Sequence, residues 1–283
     1  MHSAVPQSRI QLSVSIVLHN SCLMLLRRTL HSLFIAIREA QQTDCLRYVT
    51  VTLVDNASGR YYREELETLV ANWPESAGCQ LMCSLQPGNR GFGHGHNTVI
   101  EGLKSDYHLV LNPDVELEKD TLCVGLSALE ANKDIVLVSP RVNGEAGDQE
   151  FLCKRYPTVL VLLLRGFAPG FFLRLFHNRL SAYEMRDQCR SDQPVDVAIA
   201  SGCFMLVRSP VLRDVGGFDE TFFLYFEDFD LSLRLEGCGR LVFEPSMRIL
   251  HHGGYAANKG GRHVRYFVTS GIRFFNRHGW RWI

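Results

Sequence analysis

The first half of the chain alternates short apolar runs with stretches whose apolar residues recur at helical spacing. Residues 12–18 read as a strand and 23–40 as a helix; 49–54 form a second strand, ending at Asp55-Asn56. Residues 64–73 have helical spacing, 81–85 are a third strand, and 97–104 a helix behind a glycine-rich loop. Residues 107–111, 120–131 and 135–139 continue as strand, helix and strand. This alternation predicts an α/β fold with a mostly parallel, doubly wound sheet, whose ligand crevice lies beyond the carboxyl ends of the strands. The polar residues at those ends are Asn20, Asp55, Asn89 and Asp114.

Residues 141–195 break the rhythm, and 159–179 within them mix leucines and aromatics with Arg165, Arg174 and Arg179. A further strand is expected over 195–207, carrying Ser201-Gly202; residues 216–236 are dense in aromatics and acids, and 261–283 read as a basic-aromatic helix. A length of 283 residues, 46% hydrophobic and 21% charged, suits one large domain with a sizeable core. The net charge of zero argues against a general nucleic-acid binder. It hides an asymmetry, because seven Lys or Arg and no acid lie from Arg248 to the end. Nine scattered cysteines without a CxxC pair read as reduced thiols of a cytoplasmic protein. No signal peptide is expected, and no window approaches the roughly 20 apolar residues of a membrane span.

Candidate chemistry concentrates in four places. Leu109-Val-Leu-Asn-Pro-Asp114 puts a carboxylate just past a buried strand, where it can hold a hard divalent cation or simply cap the next helix. Phe222-Phe-Leu-Tyr-Phe-Glu-Asp-Phe-Asp230 sets three acids among five aromatics. A carboxylate in such apolar surroundings has a raised pKa, which suits a general base; the same acids also suit a helix N-terminus. The run from Gly88 to Asn97 is glycine-rich, consistent with backbone approaching a nucleotide or sugar, or with a plain turn. His94/His96 and His251/His252 lack zinc-site spacing, whereas one histidine, His251, can join Asp114 in a mixed N/O site for Mg²⁺ or Mn²⁺ or be held by local hydrogen bonds. Gly-x-Ser-x-Gly is absent, which argues against an α/β hydrolase.

In order along the chain these segments resemble family 2 glycosyltransferases of the GT-A fold, and within them the rhamnosyltransferase-like branch. The resemblance is carried by Val14-Ser-Ile-Val-Leu-His-Asn20, Leu53-Val-Asp-Asn-Ala-Ser58, Asn89-Arg-Gly-Phe-Gly93 with Asn97, and Leu111-Asn-Pro-Asp114. It continues through Ser201-Gly-Cys-Phe-Met-Leu-Val-Arg208, Gly216-Gly-Phe-Asp-Glu220, Tyr225-Phe-Glu-Asp228, and Pro245 leading to His251. It implies a GT-A catalytic domain over 10–255, with a nucleotide-sugar-binding half (1–140) and an acceptor and base half (141–255). A C-terminal helical tail, 256–283, follows as a membrane-associating segment. Asp228 matches the catalytic base and Glu227 a residue orienting the acceptor. Asp114 matches the last acid of the DxD-type metal motif, and His251 a histidine completing the metal site. Asn20, Asp55, Asn89, Asn97 and Asn112 fall at donor-binding positions. Two departures stand out: Leu-His-Asn replaces the usual Thr-Tyr-Asn, and Asn112 replaces the first metal acid, leaving strict metal dependence open.

The resemblance implies an inverting transfer of a sugar, L-rhamnose from dTDP-rhamnose, onto a saccharide or lipid-linked saccharide in cell-surface polysaccharide synthesis. Other nucleotide-sugars (hexose, galactofuranose, N-acetylhexosamine) stand as alternatives, as does a nucleotide-sugar-binding protein without turnover. Arg interleaved with Trp, Phe and Leu over 159–179 and 261–283 suits helices in an anionic membrane interface, or helices packed on the domain with arginines in solvent; the resemblance favours the first, as peripheral contact with the inner face of the cell membrane.

Overall fold

The apolar runs of the first half become the centre of one sheet because their Val, Leu and Ile side chains are covered on both faces. A computed structural model describes residues 10–74, 76–253 and 261–283. The expected limit between catalytic domain and tail, at 255/256, lies outside the described residues. Strand β1 (Gln11–Leu18) is buried from its second residue onward. It pairs in parallel with β2 (Tyr48–Asp55) on one side and β4 (Tyr107–Leu111) on the other, and β3 (Cys79–Leu85) extends the parallel run beyond β2. Helices α1 (Leu23–Gln42), α2 (Arg60–Ala71) and α4 (Thr121–Ala131) cover one face of this sheet.

The far half of the sheet brings the chemistry together. Strand β9 (Phe204–Arg208) runs antiparallel between β4 and β6 (Ile135–Gly144), with Phe204 opposite Leu111. Its entry, residues 201–203, therefore meets the carboxyl end of β4. Strand β10 (Arg240–His251) lies parallel to β6 and antiparallel to β5 (Val115–Leu117), with His251 opposite Val115. The sheet order is β3-β2-β1-β4-β9-β6-β10-β5; short strands β7 (Gln149–Glu150) and β8 (Val195–Asp196) attach to β6 and β10. The long pairings are parallel, as the strand-helix alternation predicts. The second face is covered by α3 (Phe92–Ile100), α9 (Ser209–Asp214) and α10 (Glu227–Glu236).

Three expectations are corrected. The strand expected over 195–207 is two, β8 and β9, because the intervening residues turn toward the site. Helix α3 begins at Phe92, not 97, and ends at Ile100, so half of the glycine-rich run is helical. Its glycines meet protein: a Cβ on Gly93 would lie 2.7 Å from Phe218 Cβ, and one on Gly95 2.8 Å from both Val17 γ-carbons. They let the helix pack closely on β1 and on residue 218, which accounts for them without a ligand.

Residues 159–189 form four short helices: α5 (Val159–Phe167), α6 (Gly170–Leu175), α7 (His177–Tyr183) and α8 (Arg186–Cys189). Helix α11 (Gly261–His278) docks Phe274 and Phe275 into a cluster with Phe222 and Phe226. The C-terminal helix thus belongs to the packing around the acidic-aromatic segment.

Candidate active site

Glu227 and Asp228 open α10, and the two residues before them carry backbone strain. Tyr225 (φ 69°) and Phe226 (φ 66°) are consecutive non-glycine residues in the left-handed region. Such residues cost about 1–3 kcal/mol each and persist only where surroundings hold them. Here the rings of Phe267 and Phe274, both on α11, lie 5.2 and 5.4 Å from that of Phe226, while Tyr225 Oη is 3.0 Å from His263 Nδ1. The aromatics of 222–230 therefore clamp a strained entry that aims the two acids.

The two carboxyls meet different surroundings. Asp228 accepts from the backbone N–H of Gly202 (3.0 Å) and of Phe229 (3.0 Å). Burial raises its pKa, and these donors oppose the rise. Glu227 is 5% exposed, and its Oε2 has no hydrogen-bond partner. Burial first, and then the Asp228 charge, push its pKa well up. A single negative charge on the pair is best placed on Asp228, with Glu227 protonated. Asp228 is then a charged acceptor of elevated basicity at the wall of a 640 Å³ cavity. That cavity is lined also by Arg165, Phe226 and Phe267, and by Lys154 and Tyr183, which no sequence motif marks.

Asp114 follows the turn after β4, and its backbone carbonyl accepts from His252 N at 2.9 Å. Its Oδ1 is buried without a hydrogen-bond partner and stands 3.7 Å from His251 Nε2. On the other side of the same ring, Nδ1 lies 3.1 Å from Glu150 Oε2. Donation from Nδ1 to Glu150 fixes the tautomer and turns the Nε2 lone pair toward Asp114. An orphan carboxylate oxygen facing a ring lone pair fits a hard or borderline divalent cation such as Mg²⁺ or Mn²⁺. Among the described residues no three His, Cys, Asp or Glu are grouped to hold an ion by themselves. His252 is occupied elsewhere, by Glu145 (2.7 Å) and Glu116 (2.5 Å). Glu150 is a positioning partner with no motif to announce it.

The two clusters are joined by one stretch of backbone. Gly202 N donates to Asp228, and Cys203 O accepts from Asn112 N at 2.9 Å. The backbone of Asn112 thus ties the β4 turn to the loop that holds the Asp228 carboxylate.

A separate 480 Å³ cleft opens at the carboxyl ends of β1 and β2, lined by His19, Ser21, Asn56 and Asn89 together with His263 and Tyr266 of α11. Asn20, in the left-handed region (φ 50°), accepts from Gly59 N at 2.9 Å and ties the two strand ends together. Asn89 accepts from Asn56 Nδ2 (3.0 Å) and Gly91 N (3.0 Å), which leaves the Oδ1 of Asn56 buried and unpaired. Asp55 is fully enclosed, bonded to Arg63 Nε (2.7 Å) and Ser58 N. Asn97 spends its amide on Phe218 O, Phe218 N and Glu220. Here Asp55 and Asn97 act through loops that they hold, while Asn56 and His19 present the polar atoms at the cleft.

Comparison with known proteins bears on the family and the fold. The family model for glycosyl transferase family 2 matches residues 13–216. Rhamnosyltransferase WbbL of Escherichia coli K12 is 30% identical over 171 residues, 57% of this chain and 61% of that protein. N-acetylglucosaminyl-diphospho-decaprenol L-rhamnosyltransferase of Mycobacterium tuberculosis is 29% identical over 183 residues, 60% of this chain and 58% of that one. The chain thus spans about three fifths of the length of these relatives. In structure it resembles GalNAc-T7 solved with UDP, GalNAc and Mn²⁺ (TM-score 0.63, 15% identity, 94% of this chain and 48% of that one). It also resembles the mannosyltransferase PcManGT of Pyrobaculum calidifontis with GDP-Man and Mn²⁺ (TM-score 0.62, 17% identity, 96% and 65%). The fold is GT-A, and the chain belongs to glycosyl transferase family 2.

Proposed function

We propose that the chain is an inverting glycosyltransferase that moves L-rhamnose from dTDP-rhamnose onto a saccharide, with Asp228 as general base. The observation that carries this reading is the pairing of a half-buried, ionisable Asp228 with the Asp114–His251 cluster through the Gly202-Cys203 backbone. Asp228 takes the proton of an acceptor hydroxyl lying in the 640 Å³ cavity, and the oxygen attacks the anomeric carbon opposite the leaving diphosphate. Protonated Glu227 donates a hydrogen bond that orients the acceptor. Asp114 and His251 would hold a divalent cation, which supplies charge neutralisation for the departing nucleoside diphosphate. The cleft at Asn56, Asn89 and His19 takes the nucleoside, with Asn20, Asp55 and Asn97 holding its loops and Asn112 the metal turn. Rhamnose is supported by the names of the two relatives, and a lipid-linked acceptor by that of the mycobacterial one.

A lipid-linked acceptor also agrees with the surface around the cavity. Every residue of α6 is unburied, and Phe171 (72% exposed) and Leu175 (66%) stand in solvent beside Arg174. On α11, Val264, Val268 and Ile272 form an exposed stripe one turn apart, flanked by Arg262, Arg265 and Arg273. Apolar residues among arginines complement an anionic bilayer surface, and α5 and α11 both contribute to the cavity wall. Among the described residues no helix is long and apolar enough to cross a membrane. The test is nucleoside diphosphate release from a panel of nucleotide-sugars, with and without Mn²⁺ or Mg²⁺. Release from dTDP-rhamnose alone supports the reading in full; release from another donor corrects the sugar; release from none contradicts the transfer.

A further inference from the structure

The cavity that holds Asp228 has a cationic wall that proton abstraction does not require. Lys154 is only 5% exposed, yet its ammonium meets a backbone carbonyl, that of Phe151, and reaches Glu184 Oε1 at no closer than 3.8 Å. Arg165 Nη1 approaches the same oxygen at 3.5 Å, while Arg186 Nη2 occupies the other oxygen of Glu184 at 2.6 Å. Three cations thus share one carboxylate. Of the three, Lys154 and Arg165 line the cavity against one charged acid there, Asp228; with Glu184 held by Arg186 the wall keeps a surplus positive charge, which points to a missing negative partner. Between Lys154 and Arg165 lies the ring of Tyr183, its centroid 5.8 Å from each charge. The hydroxyl of Tyr183 is buried and finds no acceptor in the protein. Across the cavity the wall is apolar, formed by Leu162, Val264 and Phe267. None of Asp114, His251 or the residues of the nucleoside cleft at β1 and β2 lines this space except His263, at the shared rim.

We infer that Lys154, Arg165 and the Tyr183 hydroxyl form an anion subsite for a phosphate or diphosphate carried by the acceptor, beside the base. This rests on the reading of the cavity as the acceptor site. Such an anion comes either from a lipid-linked diphosphate saccharide, whose chain would follow the apolar wall, or from a soluble phosphorylated saccharide.

Binding measured without turnover tests it, since failure would leave the nucleotide-sugar result untouched. The full chain is titrated in EDTA with geranyl diphosphate, with inorganic pyrophosphate and with geraniol. Geranyl diphosphate is expected to bind at least about 10-fold more weakly to Arg165→Gln, a half-exposed position, and to Lys154→Gln, each variant keeping the parent's circular dichroism spectrum. Geraniol is expected to bind both variants as it binds the parent. Tight geranyl diphosphate with weak pyrophosphate identifies the lipid-linked source; equal affinity for the two identifies the soluble one. Absence of diphosphate binding overturns the subsite, as does unchanged affinity in Arg165→Gln. So does loss of binding in Asp114→Asn, which would place the anion at the donor's own site.

Discussion

Glu227 and Asp228 are sequence neighbours whose different roles come from what each oxygen meets. Asp228 has two backbone N–H donors, while Glu227 has an orphan oxygen in a buried place. Asp228→Asn, at the proposed base, keeps the shape and removes proton acceptance, so transfer should fall by about 10²–10⁴ while donor affinity is retained. Because burial raises the Asp228 pKa, transfer should decline as pH falls through that raised value, earlier than for an ordinary carboxylate. Glu227 carries a stability consequence of the opposite kind. Its folded pKa is raised, so the native state holds a proton that the unfolded chain releases as pH rises past the usual carboxylate range. Stability contributed by that proton is present at low pH and lost as pH rises through the folded value. Glu227→Gln removes the titration and should raise the Tm at pH 8, by roughly 2–4 °C if the gain is about 1 kcal/mol, at the expense of turnover. A Tm equal to or below that of the parent would count against a strained acid at 227.

Elements show where the sequence was legible and where it was not. Strands β1 to β4 and their helices follow from apolar periodicity, since their side chains are buried by local pattern. Helix α3 was misjudged at its start because glycine is read as loop, whereas Gly93 and Gly95 are needed where Phe218 and Val17 press on the helix. That pressure comes from residues far along the chain and leaves no local mark. The direction of β9 was equally hidden, yet it delivers Gly202 and Cys203 to the site. Asn97 holds this arrangement by bonding both backbone groups of Phe218. Asn97→Ala would strand those buried groups and cost about 1–3 kcal/mol, readable as a lower urea midpoint with unchanged slope. Of the residues expected to bind donor, Asn89 lines the cleft, while Asp55 and Asn97 are enclosed in protein bonds. Asn56 and His19 sit within strand-end motifs but carry no role until the cleft is seen, while Glu150 and Lys154 are single polar residues outside motifs that look alike until the fold gathers them.

At the scale of the whole molecule, a buried polar knot joins the sheet to α3: Ser15 Oγ lies 2.6 Å from His96 Nδ1 and 2.8 Å from His108 Nε2. Burial lowers the pKa of both rings, that of His108 to about 3, so the fold keeps them neutral. The unfolded chain protonates them below about pH 6.5. Their contribution is therefore complete above that pH and lost progressively toward pH 3, and the Tm should fall across that window, less steeply in His108→Gln. The outer surface supplies a second expectation. The full chain should pellet with anionic phosphatidylglycerol vesicles but not with neutral ones, and a Phe171→Glu, Leu175→Glu variant should remain in the supernatant; equal pelleting of parent and variant would refute contact through α6. The basic-aromatic pattern of 159–179 and 261–283 marks this surface even though acids elsewhere bring the net charge to zero. Sugar transfer with Asp228 as the proposed base is tested by single-turnover transfer by parent and Asp228→Asn at matched donor occupancy. A rate at least about 100-fold lower in the variant with donor binding intact is expected; near-parental turnover by Asp228→Asn would rule Asp228 out as the base.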